Sequence, residues 1–148
     1  LGDVYKRQVE KLARGKCLAV AKDHPGAVVL GCDTVVDVGG EVFGKPHSVE
    51  DAKRMLRALS GATHEVHTGV CVSDGLRTES FVDSCKVTFF PIPEEEIDAY
   101  TATKEPYDKA GAYAIQGRAA LWLDRLEGDY YTIMGLPVSR TARLLGRF

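Results

Sequence analysis

The stretch that most constrains this chain is residues 27–46, AVVLGCDTVVDVGGEVFGKP. A short apolar run, Ala27 to Leu30, has the character of a strand buried on both faces and ends at Gly31. Asp33 follows, so the strand is expected to deliver a carboxylate at its C-terminal end. A second extended piece, Val35 to Val38, turns back through Gly39-Gly40 into Glu41–Phe43, because two glycines supply the positive φ that a two-residue turn demands. Lys45 stands just past this hairpin.

The remaining pattern interleaves helices with hairpin strands. Val9–Lys22 reads as a helix with Val9, Leu12, Ala13, Cys17, Val20 and Ala21 at three-four spacing, stopped by Asp23-His24-Pro25-Gly26. Ser48 is a good N-cap with Asp51 three residues on, predicting a helix to about Leu59 with Gly61 as its stop. His64–Val72 alternates as a strand, Ser73-Asp74-Gly75 turns, and a second strand runs from about Thr78 to Phe90. Glu94–Thr101 reads as a helix whose acidic first turn offsets the helix dipole. Tyr107–Gly117 is a glycine- and alanine-rich loop, Ala119–Leu123 is strand-like, Gly128–Gly135 is a turn region, and Pro137 opens a last helix. The fold class expected is α/β: a mixed, twisted sheet with hairpins and helices packed on it.

A chain of 148 residues with 45% hydrophobic content has enough material for one cored domain. Nineteen Lys and Arg against 21 Asp and Glu argue against a nucleic-acid partner. No apolar run approaches the roughly 20 residues of a membrane helix, so no membrane partner is expected. The four cysteines, Cys17, Cys32, Cys71 and Cys85, have neither C-x-x-C nor zinc spacing and read as free thiols of a reducing compartment. Asp3–Gln8 looks like translated sequencing adapter, so residues 1–8 are expected to be non-native and residues 9–148 to form the domain.

Several motifs have plain readings. Gly39-x-x-x-x-Gly44-Lys45 has the outline of a phosphate loop, but Pro46 follows, with no hydroxyl for a metal and no N–H for a phosphate. His64 and His67 lie three apart on a strand, so they point to opposite faces and are expected as ordinary surface or edge histidines. His24 and His47 sit beside prolines in loops. Asp33 is different, because an acid after a buried strand is costly without a partner. Taken alone, its position leaves a capping or turn role level with a catalytic one. Lys45 and Lys109 alone read as surface lysines and Gln116 as a loop amide. A carboxylate with lysines beside it is an arrangement suited to a metal-bound phosphate, and ligands of open α/β sheets sit outside the strand ends.

Together the motifs resemble a known family. Gly31-Cys32-Asp33-Thr34-Val35-Val36, Phe43-Gly44-Lys45-Pro46, Leu59-Ser60-Gly61, His67-Thr68-Gly69-Val70, the run Glu105 to Gly117, Glu127-Gly128-Asp129-Tyr130 and Gly135-Leu136-Pro137 resemble the Maf family of nucleoside triphosphate pyrophosphatases. The resemblance covers nearly all of residues 9–148. It implies a Maf/ITPase-like fold and a cytoplasmic hydrolase that splits a nucleoside triphosphate into monophosphate and pyrophosphate with a divalent cation, Mg or Mn. By the same resemblance Asp33 is the proton acceptor; beside a metal-bound water of lowered pKa it equally suits the role of metal ligand. Lys45 and Lys109 serve the phosphates, and Thr34 and Gln116 are tied to substrate choice. The D-T-V-V and A-I-Q-G forms resemble the branch acting on dTTP and UTP. A homodimer is what the family suggests, and a non-catalytic regulator of septum formation is the alternative its older name offers. The arginine-bearing S-x-S/T-P-R-R loop of the family does not occur here, so this chain is expected to be weakly active or inactive. The unifying expectation is that the side chains at 33, 45 and 109 converge on one pocket.

Overall fold

A computed structural model describes residues 2–148. Five strands form one sheet in the order β2-β1-β3-β4-β5. These are β1 (Val29–Val38), β2 (Glu41–Phe43), β3 (Thr63–Ser73), β4 (Thr78–Phe89) and β5 (Leu123–Glu127). The helices are α1 (Gly2–Ala21), α2 (Val49–Leu59), α3 (Glu94–Thr101), α4 (Tyr130–Met134) and α5 (Val138–Leu145). The α/β class with hairpins is as expected. The β1–β2 pairing, which sets Val36 against Phe43, and the β4–β5 pairing, which sets Lys86 against Glu127, are both antiparallel.

The chain divides into two compact units. The first comprises residues up to Thr34, His67–Ser84 and Asp129–Phe148; the second comprises Val35–Val66 and Cys85–Gly128.

In the first unit α1 buries Val9, Ala13, Cys17 and Ala21, one residue per turn, the last three clustering with Val29 and Cys71. The approach is at backbone distance. A Cβ on Gly31 would stand 2.8 Å from the Cys17 nitrogen, and one on Gly69 would stand 2.7 Å from the Val9 carbonyl oxygen. Gly31 is therefore no strand terminator: its missing side chain is the seat of the helix. β1 runs unbroken through it, which corrects the expected ending at Leu30. Asp33 lies mid-strand. Val28 and Leu30 are half exposed, so this strand is not buried on both faces. The helix also starts earlier than Val9, at Gly2. Its outer surface ties to β4 where the Ser80 hydroxyl donates to Glu10 (2.5 Å) and accepts from Arg14 (2.9 Å).

In the second unit α2 begins as expected: the Ser48 hydroxyl accepts from the Asp51 amide at 3.0 Å, and Asp51 accepts from the His47 amide at 3.0 Å. Edge-to-face aromatic rings fill the core, with Phe89 against His64, Tyr113 and Trp122, and Trp122 against Tyr100. Of Ala119–Leu123, expected as a strand, only Leu123 is in one, opening β5; the rest lies in a 3-10 helix, Arg118–Trp122. That winding buries Trp122, whose indole N–H donates to Glu96 at 2.6 Å. Glu96 and Glu94 thus have specific partners, Glu94 pairing with Arg57 at 2.9 Å, beyond any dipole effect.

Both strand histidines are buried, against the expectation of surface or edge positions. They do diverge: His64 meets the Tyr113 hydroxyl (2.7 Å) in the second unit and His67 meets Ser84 (2.7 Å) in the first. Cys17, Cys71 and Cys85 are buried thiols, and Cys32 is half-buried. Among the described residues no helix is long and apolar enough to cross a membrane.

Candidate functional site

Asp33 and Thr34 fall in the first unit; Lys45, Lys109 and Gln116 fall in the second. Each unit gathers its own cluster.

In the first unit, strand alternation puts Gly31 and Asp33 on the face that meets α1. The helix presents Lys16, one position before its buried Cys17, and the Lys16 ammonium donates to Asp33 Oδ1 at 2.6 Å. Asp33 keeps 20% of its side chain exposed and Lys16 keeps 60%. An ion pair this open adds little stability. Its consequence is orientation: Lys16 holds one of the two carboxylate oxygens. The need for a partner was legible in the sequence, but Lys16 was missed. The signal available was its place beside the helix's buried stripe.

Thr34 points to the opposite face, where a chain of polar groups begins. The Thr34 and Thr68 hydroxyl oxygens are 2.8 Å apart, and the Thr68 hydroxyl donates to the Thr132 carbonyl oxygen at 2.9 Å. The Thr132 hydroxyl donates to Asp83 at 2.5 Å, and Arg140 donates to the other oxygen of Asp83 at 2.9 Å. This ties β1, β3, α4, β4 and α5 in sequence. Gly135, left-handed at φ 109°, caps α4 and lies so close that a Cβ there would stand 3.5 Å from Thr34 Oγ1.

In the second unit the turn after β2 is bonded to the glycine-rich loop: the Gly111 amide donates to the Gly44 carbonyl oxygen at 3.0 Å. That bond holds the residue before Lys45 to the segment carrying Lys109. Lys109 donates to Asp108 at 2.8 Å. The Asp108 carboxyl is held below its usual range first by that hydrogen bond, then by the Lys109 charge, and also by the charge of Lys45. Both lysines therefore act on one carboxylate. Gly111 and Ala112 both have positive φ, 74° and 65°, and a Cβ on Gly111 would meet Val36 at 3.0 Å.

Gln116 is exposed on a tight turn, where the Gly117 amide bonds the Ala114 carbonyl at 3.0 Å. The turn is pinned from below. The Tyr100 hydroxyl accepts from the Ala114 amide at 3.1 Å, and Glu105 accepts from the Arg118 amide at 3.3 Å. Burial, followed by its hydrogen bond to Glu105, pushes the Tyr100 phenol up.

Among the described residues no group of three or more His, Cys, Asp or Glu side chains could hold a metal. That suits one mode of cation binding and not another. Magnesium is commonly held by one or two carboxylates with substrate phosphates completing its shell, whereas an all-protein cage needs more. The half-held carboxylate of Asp33 fits the first mode.

A sequence model of a family described as Maf-like protein matches residues 3–148. The chain is 48% identical over 143 residues to a protein of Bacillus velezensis called dTTP/UTP pyrophosphatase, covering 97% of this chain and 76% of that protein. It is likewise 48% identical over 140 residues to proteins of that name from Bacillus mycoides and Bacillus cytotoxicus, covering 95% of this chain and 73% of each.

Proposed function

The chain belongs to the Maf family, and on that premise we propose that it is a nucleoside triphosphate pyrophosphatase acting on dTTP and UTP. It releases the nucleoside monophosphate and pyrophosphate, as a cytoplasmic house-cleaning enzyme. The observation that carries this reading is the Asp33 carboxylate, oriented by Lys16 at 2.6 Å in a chain nearly half identical to relatives bearing that name.

The chemistry assigns each residue a task. Water must attack the α-phosphorus while pyrophosphate leaves, and charge builds on the phosphate oxygens. Asp33 accepts the proton of that water through the oxygen Lys16 leaves free. A carboxylate of ordinary pKa near 3.9 is a weak base toward bulk water. Asp33 and the substrate's own phosphates would hold a divalent cation, Mg or Mn, which would supply the lowered water pKa that makes such a base adequate. Lys45 and Lys109 neutralise the developing phosphate charge, a role in which fixed cations act without reorganisation. Thr34 and Gln116 bear on the choice of base. The family also suggests a homodimer.

The test is pyrophosphate release across a nucleotide panel, with Asp33→Asn as control. We expect dTTP and UTP to be preferred over the rest of the panel, with turnover weak because the S-x-S/T-P-R-R loop does not occur in this chain, and a further loss of roughly 100- to 10,000-fold in Asp33→Asn, the usual worth of a positioned base. A nucleotide-responsive regulator would bind without turnover and be indifferent to the change. That pattern would overturn the proposal.

A further inference from the structure

The hydroxyl chain behind Thr34 has a direction that fixes what Thr34 can offer a ligand. A threonine hydroxyl carries one proton and two acceptor positions. Thr68 spends its proton on the Thr132 carbonyl oxygen, which can only accept. In the 2.8 Å contact between the two hydroxyls, Thr34 must therefore be the donor. Its proton points inward to Thr68, and only lone pairs remain for anything that meets it from outside. The far end of the chain is itself fixed. Asp83 takes a proton from Thr132 on one oxygen and from Arg140 on the other, so α4, which supplies the Thr132 carbonyl, cannot easily turn away.

We infer that Thr68 is a positioning residue that locks Thr34 as a hydrogen-bond acceptor, and that this lock selects pyrimidine bases carrying a ring N–H over those with a lone pair there. Uracil and thymine have such an N–H at N3, flanked by carbonyls. Cytosine has a bare nitrogen at N3 and an amino group beside it. Gln116 cannot make the distinction alone. An exposed amide presents a donor or an acceptor after a half-turn, so it matches either edge. An oriented hydroxyl does not have that freedom: for Thr34 to donate to cytosine it must abandon Thr68. The inference rests on the proposed pyrimidine-nucleotide reading, with Thr34 at the base.

The test is equilibrium binding of UTP and CTP, run beside pyrophosphate release, for the wild-type chain, Thr68→Val, Thr68→Ser, Thr34→Val and the double valine variant. Wild type should prefer UTP. Thr68→Val frees the Thr34 hydroxyl to turn outward, and the UTP-to-CTP ratio should narrow by roughly fivefold, the worth of one net hydrogen bond. Thr68→Ser keeps the proton path and should keep the ratio. In the Thr34→Val background, Thr68→Val should leave the ratio unmoved, because the two act as one unit. Equal losses for both nucleotides in Thr68→Val, or an unchanged ratio, would overturn the inference and leave the pyrophosphatase reading standing. A wild-type chain indifferent to the base would overturn the base reading itself, and this inference with it.

Discussion

The same substitution, glycine to alanine, should act with opposite signs at three positions around α1. At Gly31 and Gly69 an added methyl would lie 2.8 and 2.7 Å from the backbone of the helix, where ordinary contact begins at 3.4 Å. The obstacle is main chain, so no rotamer change relieves it, and α1 must lift by about 0.6–0.7 Å at each contact. Overpacking of this kind costs about 1–3 kcal/mol. The relief of unfolded-chain entropy on losing a glycine returns about 0.4–1 kcal/mol. The net loss is about 1–2 kcal/mol for each variant, or about 3–8 °C in melting temperature for a chain this long. Gly15 is inside the same helix with nothing within 4 Å of its missing Cβ. Gly15→Ala should instead stabilise by about 0.8–1 kcal/mol through helix propensity. Urea titration followed by circular dichroism reads all three, and midpoints should fall for Gly31→Ala and Gly69→Ala and rise for Gly15→Ala. Unchanged or raised midpoints at 31 and 69 would refute backbone-level seating of α1 on β1 and β3. The lift would also stretch the 2.6 Å Lys16–Asp33 contact, so pyrophosphate release should fall more in Gly31→Ala than stability alone explains.

Two further predictions follow from the second unit. Burial lowers the His64 pKa from 6.5 to about 4. The unfolded chain therefore takes up this proton first, and the stability present above pH 6.5 is lost as pH falls toward 4, to a total of about 3 kcal/mol. Unfolding free energies at pH 7, 5.5 and 4.5 should decline for wild type and much less for His64→Gln; equal slopes would count against the assignment. The lowered carboxyl groups of Asp51, Asp74 and Asp108 act only as pH approaches their unfolded value of 3.8, below that window. Gly111→Ala forces a side chain into φ 74° against Val36 at 3.0 Å. It should cost about 1–2 kcal/mol and raise KM for the triphosphate, because the Gly111–Gly44 bond joins the segments carrying Lys109 and Lys45. A melting curve and a KM at wild-type level would refute that link.

What was legible in the sequence is local. Ser48 with Asp51 announced α2, and of the six apolar positions expected on α1 four are buried, Val9, Ala13, Cys17 and Ala21, while Leu12 and Val20 are exposed. The differences share a cause: residues that look like punctuation record packing. Gly31 and Asp33 looked like the end of a strand, but the glycine makes room for α1 and the aspartate meets Lys16 from that helix. The run from Ala119 to Leu123 is too short for periodicity to choose between strand and helix, and burial of Trp122 against Glu96 chose the 3-10 form. His64 and His67 looked like surface groups because nothing local reveals Tyr113, 49 residues on, or Ser84, 17 residues on. The same holds for Thr68, Asp83 and Arg140. Their importance comes from cross-strand register, which no window of sequence contains.

Asp33 and Thr34 are neighbours in the chain and opposites in space. One is oriented by α1 through Lys16, the other by α4 and α5 through Thr68, Thr132 and Asp83. A strand gives consecutive side chains to different faces, so a ligand that meets both cannot sit over either face alone. On the proposed reading it would approach β1 along its edge. β2 pairs with β1 only at Val36–Val38, so on that side the pairing stops short of the segment where these two residues stand. The strand is thereby held from both faces at Asp33 and Thr34. That is the arrangement needed if a carboxylate and a hydroxyl of fixed polarity are to address different parts of one molecule.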